Sequence, residues 1–111
     1  MDTVMRAELR HRRDAAEAEA VALEADLRAV FEASRESNAD DEHDPEGSTI
    51  AYERAQLTAV LAATRRRLAD LDDALARLDA GTYGVCERCG RPIPPERLLA
   101  RPAARTCVAC A

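Results

Sequence analysis

The chain has 111 residues, about the length of one domain with a small appendage, and carries a formal net charge of −5 with only three aromatic side chains. That balance makes it a poor candidate for coating DNA, and so few large side chains suit a two-helix seam better than a compact globule. No apolar run approaches a membrane span, and the opening Met-Asp-Thr-Val-Met-Arg lacks the basic-then-apolar layout of a signal peptide, so a cytoplasmic protein with no membrane partner is expected.

The first element in chain order is a long helix, expected from a cap at Asp2 or Thr3 to about Ser37. Leu9, Ala16, Ala20, Leu23, Leu27, Val30 and Ser34 recur at alternating steps of three and four, with Arg13 filling one slot, which is the inward seam of a coiled coil. Glu8, Asp14, Glu17, Glu19, Glu24 and Asp26, with Arg10, Arg12 and Arg28, read as its solvated face.

Asn38 to Gly47 interrupts this pattern with Pro45, Gly47 and five acids, Asp40, Asp41, Glu42, Asp44 and Glu46, the composition of a turn. A calcium loop fits it poorly, because Glu42 would occupy the first ligand position, where Asp is the rule. A second long helix follows, starting at Asp44 and Pro45 or at Ser48 and Thr49, and running to Ala80, where Gly81 is a natural stop. Its seam is Ile50, Leu57, Leu61, Thr64, Leu68, Leu71, Leu75 and Leu78, with Arg54 in one slot. Arg65, Arg66 and Arg67 read as exposed helix facing the acidic side of helix 1.

Antiparallel helices bring together residues whose numbers sum to a constant. Leu9 with Leu78, Ala16 with Leu71, Leu23 with Thr64 and Val30 with Leu57 sum to 87, and the alternate rungs, Arg13 with Leu75, Ala20 with Leu68 and Leu27 with Leu61, to 88. The fold axis therefore falls at His43 and Asp44. Residues 1–80 read as an antiparallel coiled-coil hairpin with an acidic tip at 38–47. The hairpin itself uses the leucine seam, so a monomer is expected.

After Gly81 the composition changes to turn formers, with a short helix expected at Pro95–Ala100. Cys86-x-x-Cys89 and Cys107-x-x-Cys110 are separated by seventeen residues. Each pair places two sulfurs about one metal edge apart, and two pairs complete a tetrahedron of thiolates, so Cys86, Cys89, Cys107 and Cys110 are expected to hold one Zn2+. Four ligands leave no open position. The site is therefore structural, and a dithiol oxidoreductase is the weaker reading. Residues 81–111 read as a small C4 zinc finger, giving an all-α fold of a long hairpin followed by a zinc-finger domain. Five arginines against two glutamates make this end basic, with Arg88, Arg91 and Arg105 as candidate contacts of the ribbon.

Gly81-Thr-Tyr-Gly-Val-Cys-Glu-Arg-Cys-Gly-Arg-Pro-Ile, followed by Arg97-Leu-Leu-Ala-Arg-Pro-Ala-Ala-Arg-Thr-Cys-Val-Ala-Cys110, closely resembles the C4 zinc finger of the DksA/TraR family. The resemblance implies a non-enzymatic regulator that binds bacterial RNA polymerase and inserts its tip through the secondary channel toward the catalytic Mg2+, altering initiation. That family's tip carries Asp-x-x-Asp after an Asn. Asn38, Asp41 and Asp44 match, which makes Asp41 and Asp44 the implied effectors. Glu46 departs from the family's small Ala, and the resemblance ends at Ala111, where full-length DksA continues into a further helix. The nucleotide ppGpp enters only as an effector that the resemblance brings with it. The alternative from the residues is a zinc-ribbon adaptor that binds nucleic acid or protein through its basic end.

Overall fold

The computed structural model describes residues 2–38 and 45–111, and the side chains of 2–35 and 48–111. Helix α1 spans Asp2–Asn38, α2 Pro45–Ala80 and α3 Pro95–Ala100, and a single 3-10 turn covers Val108–Cys110. No strand is found among the described residues, only an isolated antiparallel bridge between Val85 and Pro92. Nor is any described helix long and apolar enough to cross a membrane.

α1 has no Gly or Pro and is rich in Ala, Leu, Glu and Arg, the residues that lose least on becoming helical. α2 opens on Pro45, whose missing N–H costs nothing at a first helical position, so the earlier of the two expected starts is the one adopted. Its end is a Schellman motif. The Thr82 N–H donates to the Arg77 carbonyl at 2.9 Å and the Gly81 N–H to that of Leu78 at 3.2 Å, with Gly81 at φ 78°. Glycine enters that left-handed region without the steric cost other residues meet.

All the expected seam positions in the two helices are shielded, Leu9, Ala16, Ala20, Val30, Leu61, Thr64, Leu71 and Leu78 almost completely. The register is also visible in the ion pairs between the helices. Arg6 pairs with Asp79, Arg13 with Asp72 at 2.8 Å and Glu24 with Arg65 at 2.8 Å, so the residue numbers sum to 85, 85 and 89. Those sums bracket the expected rungs at 87 and 88, as pairs flanking an antiparallel seam must.

The chain forms two compact units, Met1–Ala15 with Arg67–Ala111, and Ala16–Arg66. In the second, Thr64 is buried yet satisfied, because its hydroxyl donates to the Val60 carbonyl at 2.9 Å within the helix. Arg54, in a seam slot, lies over the Phe31 ring at 5.4 Å, which spares its charge burial in the apolar seam. Asp26, Ala29, Val30, Ala33, Ile50, Glu53 and Leu57 line an open groove of about 300 Å³ nearby, where small alanines leave space. In the first unit, Arg13 turns out of the seam in the same way to reach Asp72.

α2 bears a second shielded stripe that its leucine pattern does not announce: Ala74 is fully buried, and Asp73 and Arg77 beside it are half-buried. These residues follow helical spacing on a face adjoining the seam, and this face meets the C-terminal segment. Because the seam is the main apolar contact of the second unit, Leu61→Ala should lower the stability of the zinc-loaded protein by about 2–4 kcal/mol. Val21→Ala, at an exposed position of the same unit, should shift it by less than about 0.5 kcal/mol. Urea unfolding followed by helical circular dichroism separates the two; equal losses would mean that the seam does not carry this unit.

Candidate metal centre

The first cysteine pair sits on a small hairpin. The Ile93 N–H donates to the Gly84 carbonyl at 2.7 Å, the Cys86 N–H to that of Arg91 at 2.8 Å, and the Gly90 N–H back to Cys86 at 2.9 Å. Gly84 and Gly90 have φ of 82° and 74°, which lets the backbone reverse tightly around the two sulfurs. Ile93 is buried. The second pair is built differently: Cys107 is extended and the chain then enters the 3-10 turn, with the Cys110 N–H on the Cys107 carbonyl at 3.1 Å.

These two turns bring the four sulfurs within 4.8 Å of one another. Cys89 Sγ and Cys107 Sγ are 3.8 Å apart, far beyond a disulfide bond of about 2.05 Å. A zinc ion bound at about 2.3 Å to four tetrahedral sulfurs separates them by about 3.8 Å, so the donor set fits the metal in type, number and spacing. Cys86 is buried, Cys89 exposed, and Cys107 and Cys110 half-buried.

Backbone hydrogen bonds from Cys89, then Cys107 and Arg88, stabilise the Cys86 thiolate and bring its pKa down to about 6 against the opposing cost of burial. Cys110 is pushed up to about 12, chiefly by hydrogen bonding to the Cys107 and Cys86 sulfurs. The cluster thus holds one sulfur ready as an anion and one that resists losing its proton until a cation compensates the charge.

The segment entering Cys107 is held with unusual completeness. Five consecutive carbonyls accept hydrogen bonds: Pro102 from the Tyr83 hydroxyl at 2.7 Å, Ala103 and Ala104 from the Arg77 guanidinium at 3.3 Å each, Arg105 from the Glu87 N–H at 2.9 Å and Thr106 from Arg97 Nε at 2.8 Å. Burial is the main cause that raises the Tyr83 pKa, and nearby Arg77 partly offsets it. Arg77 and Tyr83 carry no ligand signature, and their partners are backbone oxygens, which every residue has. For Arg77 the sequence signal is its place just before the helix stop, off the leucine seam.

The four expected ligands therefore come together. Asp41 and Asp44, the expected tip effectors, lie outside the described residues, as do His43 and the remaining tip acids Asp40 and Glu42; the side chains of Asn38 and Glu46 are likewise outside them. Of the candidate ribbon contacts, Arg105 is engaged with Asp73 at 3.2 Å and Asp70 at 3.6 Å, Arg88 donates to the Cys110 carbonyl at 3.3 Å, and Arg91 is exposed.

Four thiols gathered on two Cys-x-x-Cys turns at the end of a long helical hairpin define a structural zinc ribbon appended to a coiled coil. Residues 81–111 match the prokaryotic dksA/traR C4-type zinc finger, so this segment of the chain is a finger of that type. It is 40% identical over 72 residues to general stress protein 16O of Bacillus subtilis, a match covering 65% of this chain and 44% of that protein. It is 48% identical over 40 residues to the RNA polymerase-binding transcription factor DksA of Caulobacter vibrioides, covering 36% of this chain and 28% of that one. Both matches span less than half of the relative's length. The solved structure of transcription factor DksA2 from Pseudomonas aeruginosa superposes with a TM-score of 0.57 at 28% identity, over 94% of this chain and 80% of that one.

Zinc uptake by the metal-free protein should occur at one ion per chain and, near pH 7.5, release fewer than four protons, because Cys86 is already largely ionised there. As pH falls through about 6, one further thiol must be deprotonated for binding, so the affinity should fall more steeply with acid. Native mass spectrometry gives the stoichiometry, and chelator competition across pH gives the slope. Release of four protons at pH 7.5 would contradict the assigned thiolate.

Proposed function

We propose that the protein binds bacterial RNA polymerase and modulates transcription initiation by inserting the tip of its hairpin into the secondary channel. The observation that carries this reading is the correspondence with DksA2 over 94% of the chain, hairpin and ribbon together, with the DksA/TraR finger at residues 81–111. The Caulobacter relative described as RNA polymerase-binding supports the same partner.

The physics of such a device is direct. α2 alone has 36 residues and, at about 1.5 Å each, is about 54 Å long, enough to carry a tip deep into a narrow channel. Carboxylates delivered there perturb nearby cations strongly, since a confined low-dielectric site screens them little. In this reading Asp41 and Asp44 act on the environment of the catalytic metal, and Glu46 adds a charge where the family has a small residue. The zinc ribbon is a brace and docking surface with a closed coordination sphere, and the protein is not an enzyme. It works as a cytoplasmic monomer, and ppGpp is a candidate co-effector to be tested in the same assay. The adaptor reading through Arg88, Arg91 and Arg105 has less support, because Arg105 and Arg88 already have partners within the chain.

Binding of the zinc-loaded protein to core RNA polymerase should be competed by an occupant of the secondary channel. Asp41→Asn combined with Asp44→Asn should leave binding within about threefold while abolishing the effect on promoter-specific transcription in vitro. Joint loss of binding and effect would make the tip an anchor, and binding that no channel occupant displaces would refute insertion.

A further inference from the structure

We infer that Arg77 is a positioning residue that couples zinc loading of the ribbon to the C-terminal end of α2. The carbonyls of residues 102–106 all accept hydrogen bonds. This stretch leads directly into the ligand Cys107, so its path fixes where the second cysteine pair meets the first. Arg77 supplies two of the five donors from the last turns of α2, through the two terminal nitrogens of one planar guanidinium. Its third nitrogen, Nε, donates to Asp73 at 2.9 Å, and its side chain is only 17% exposed.

Asp73 closes the arrangement. It accepts from Arg77 and also pairs with Arg105 at 3.2 Å, and the Arg105 carbonyl takes the N–H of Glu87, which lies between the ligands Cys86 and Cys89. The chain of contacts therefore runs from α2 through Arg77 and Asp73 to the 102–106 segment, and from there to both cysteine pairs. Arg77 meets the helix end from the other side as well, because its own carbonyl accepts the Thr82 N–H that makes the Schellman stop.

An ordinary ion pair between Arg77 and Asp73, one helical turn apart, would be indifferent to the metal. The two bonds to Ala103 and Ala104 are not. Their acceptors are held in place only while the ribbon is folded, and a ribbon of this size depends on its metal for folding. Zinc thus supplies Arg77 with its acceptors and so orders the end of α2. Coupling between sites is reciprocal, and an ordered α2 end raises zinc affinity in return.

The test uses the full chain, Zn2+ itself as ligand, a chromogenic chelator as competitor, and hydrogen exchange of the 70–80 amides with and without metal. In the unaltered protein, zinc should slow exchange in 70–80 as well as in 84–110. Arg77→Met should weaken zinc binding roughly tenfold, equivalent to losing one charge-assisted hydrogen bond, and abolish the zinc effect on 70–80 while keeping it in 84–110. Arg77→Lys keeps a charge for Asp73 but loses the planar fork, so it should resemble Met in zinc affinity and should carry the comparison should Met fold poorly. Two results would overturn the inference. One is zinc affinity within twofold of the original in both variants; the other is loss of 70–80 protection equally with and without zinc, which would make Arg77 a helix brace and nothing more.

Discussion

A chain with three aromatic residues and mostly alanine and leucine for its apolar content has one economical way to bury them: a seam one or two residues wide between two helices. Such a seam tolerates no slippage, because shifting one helix by a residue turns the leucines outward and brings the solvated face in. The rest of the molecule follows from this constraint. Charged groups that fall in the seam, Arg13 and Arg54, leave it sideways for Asp72 and for the face of Phe31. Thr64 remains inside because its hydroxyl finds a carbonyl of its own helix. The narrowness of the seam also explains why a metal ribbon belongs to this architecture. A two-helix contact has little area per residue, and the four-thiolate site adds binding free energy where apolar burial runs out.

What was readable in the chain divides along the same line. Periodicity is a property of side chains, so the seam, its register and the two arginine slots were all legible from Leu9 to Leu78, and the ion pairs on either side agree with them. The ligand set was equally plain, since the chemistry of thiolates needs particular residues at particular spacings. Gly81 marked the end of α2, and Pro45 the earlier of the two starts left open. The contacts that join the ribbon to α2 were hidden, because they use backbone oxygens from Pro102 to Thr106 as acceptors and one arginine as a fork. The ion pairs of Arg105, a candidate ribbon contact, with Asp70 and Asp73 were likewise not announced. In a helix, an arginine that pairs four residues back gives no sign that its other nitrogens reach elsewhere.

The likeness to solved and curated relatives has two parts with different weight. Identity near one half is found over about forty residues, whereas the structural correspondence covers nearly the whole chain at 28% identity. That is the pattern expected when a metal site fixes its residues by chemistry while a coiled coil asks only for apolar character at every third or fourth position. A hairpin can then be rewritten residue by residue without losing its register, leaving its charged tip free to vary independently of the scaffold that carries it.

The unequal exposure of the four sulfurs has a kinetic meaning. A competing ligand in solution can reach a closed tetrahedral site only by displacing one thiolate at a time, and it must begin where solvent touches the cluster, at Cys89. Cys86, enclosed and close to backbone N–H groups, is the sulfur such a ligand would reach least readily. A zinc ion held by Cys86, Cys89, Cys107 and Cys110 would therefore meet solvent unequally at its four ligands. The enclosed side of the cluster would shield a bound ion, and the open side would be its way in from solvent.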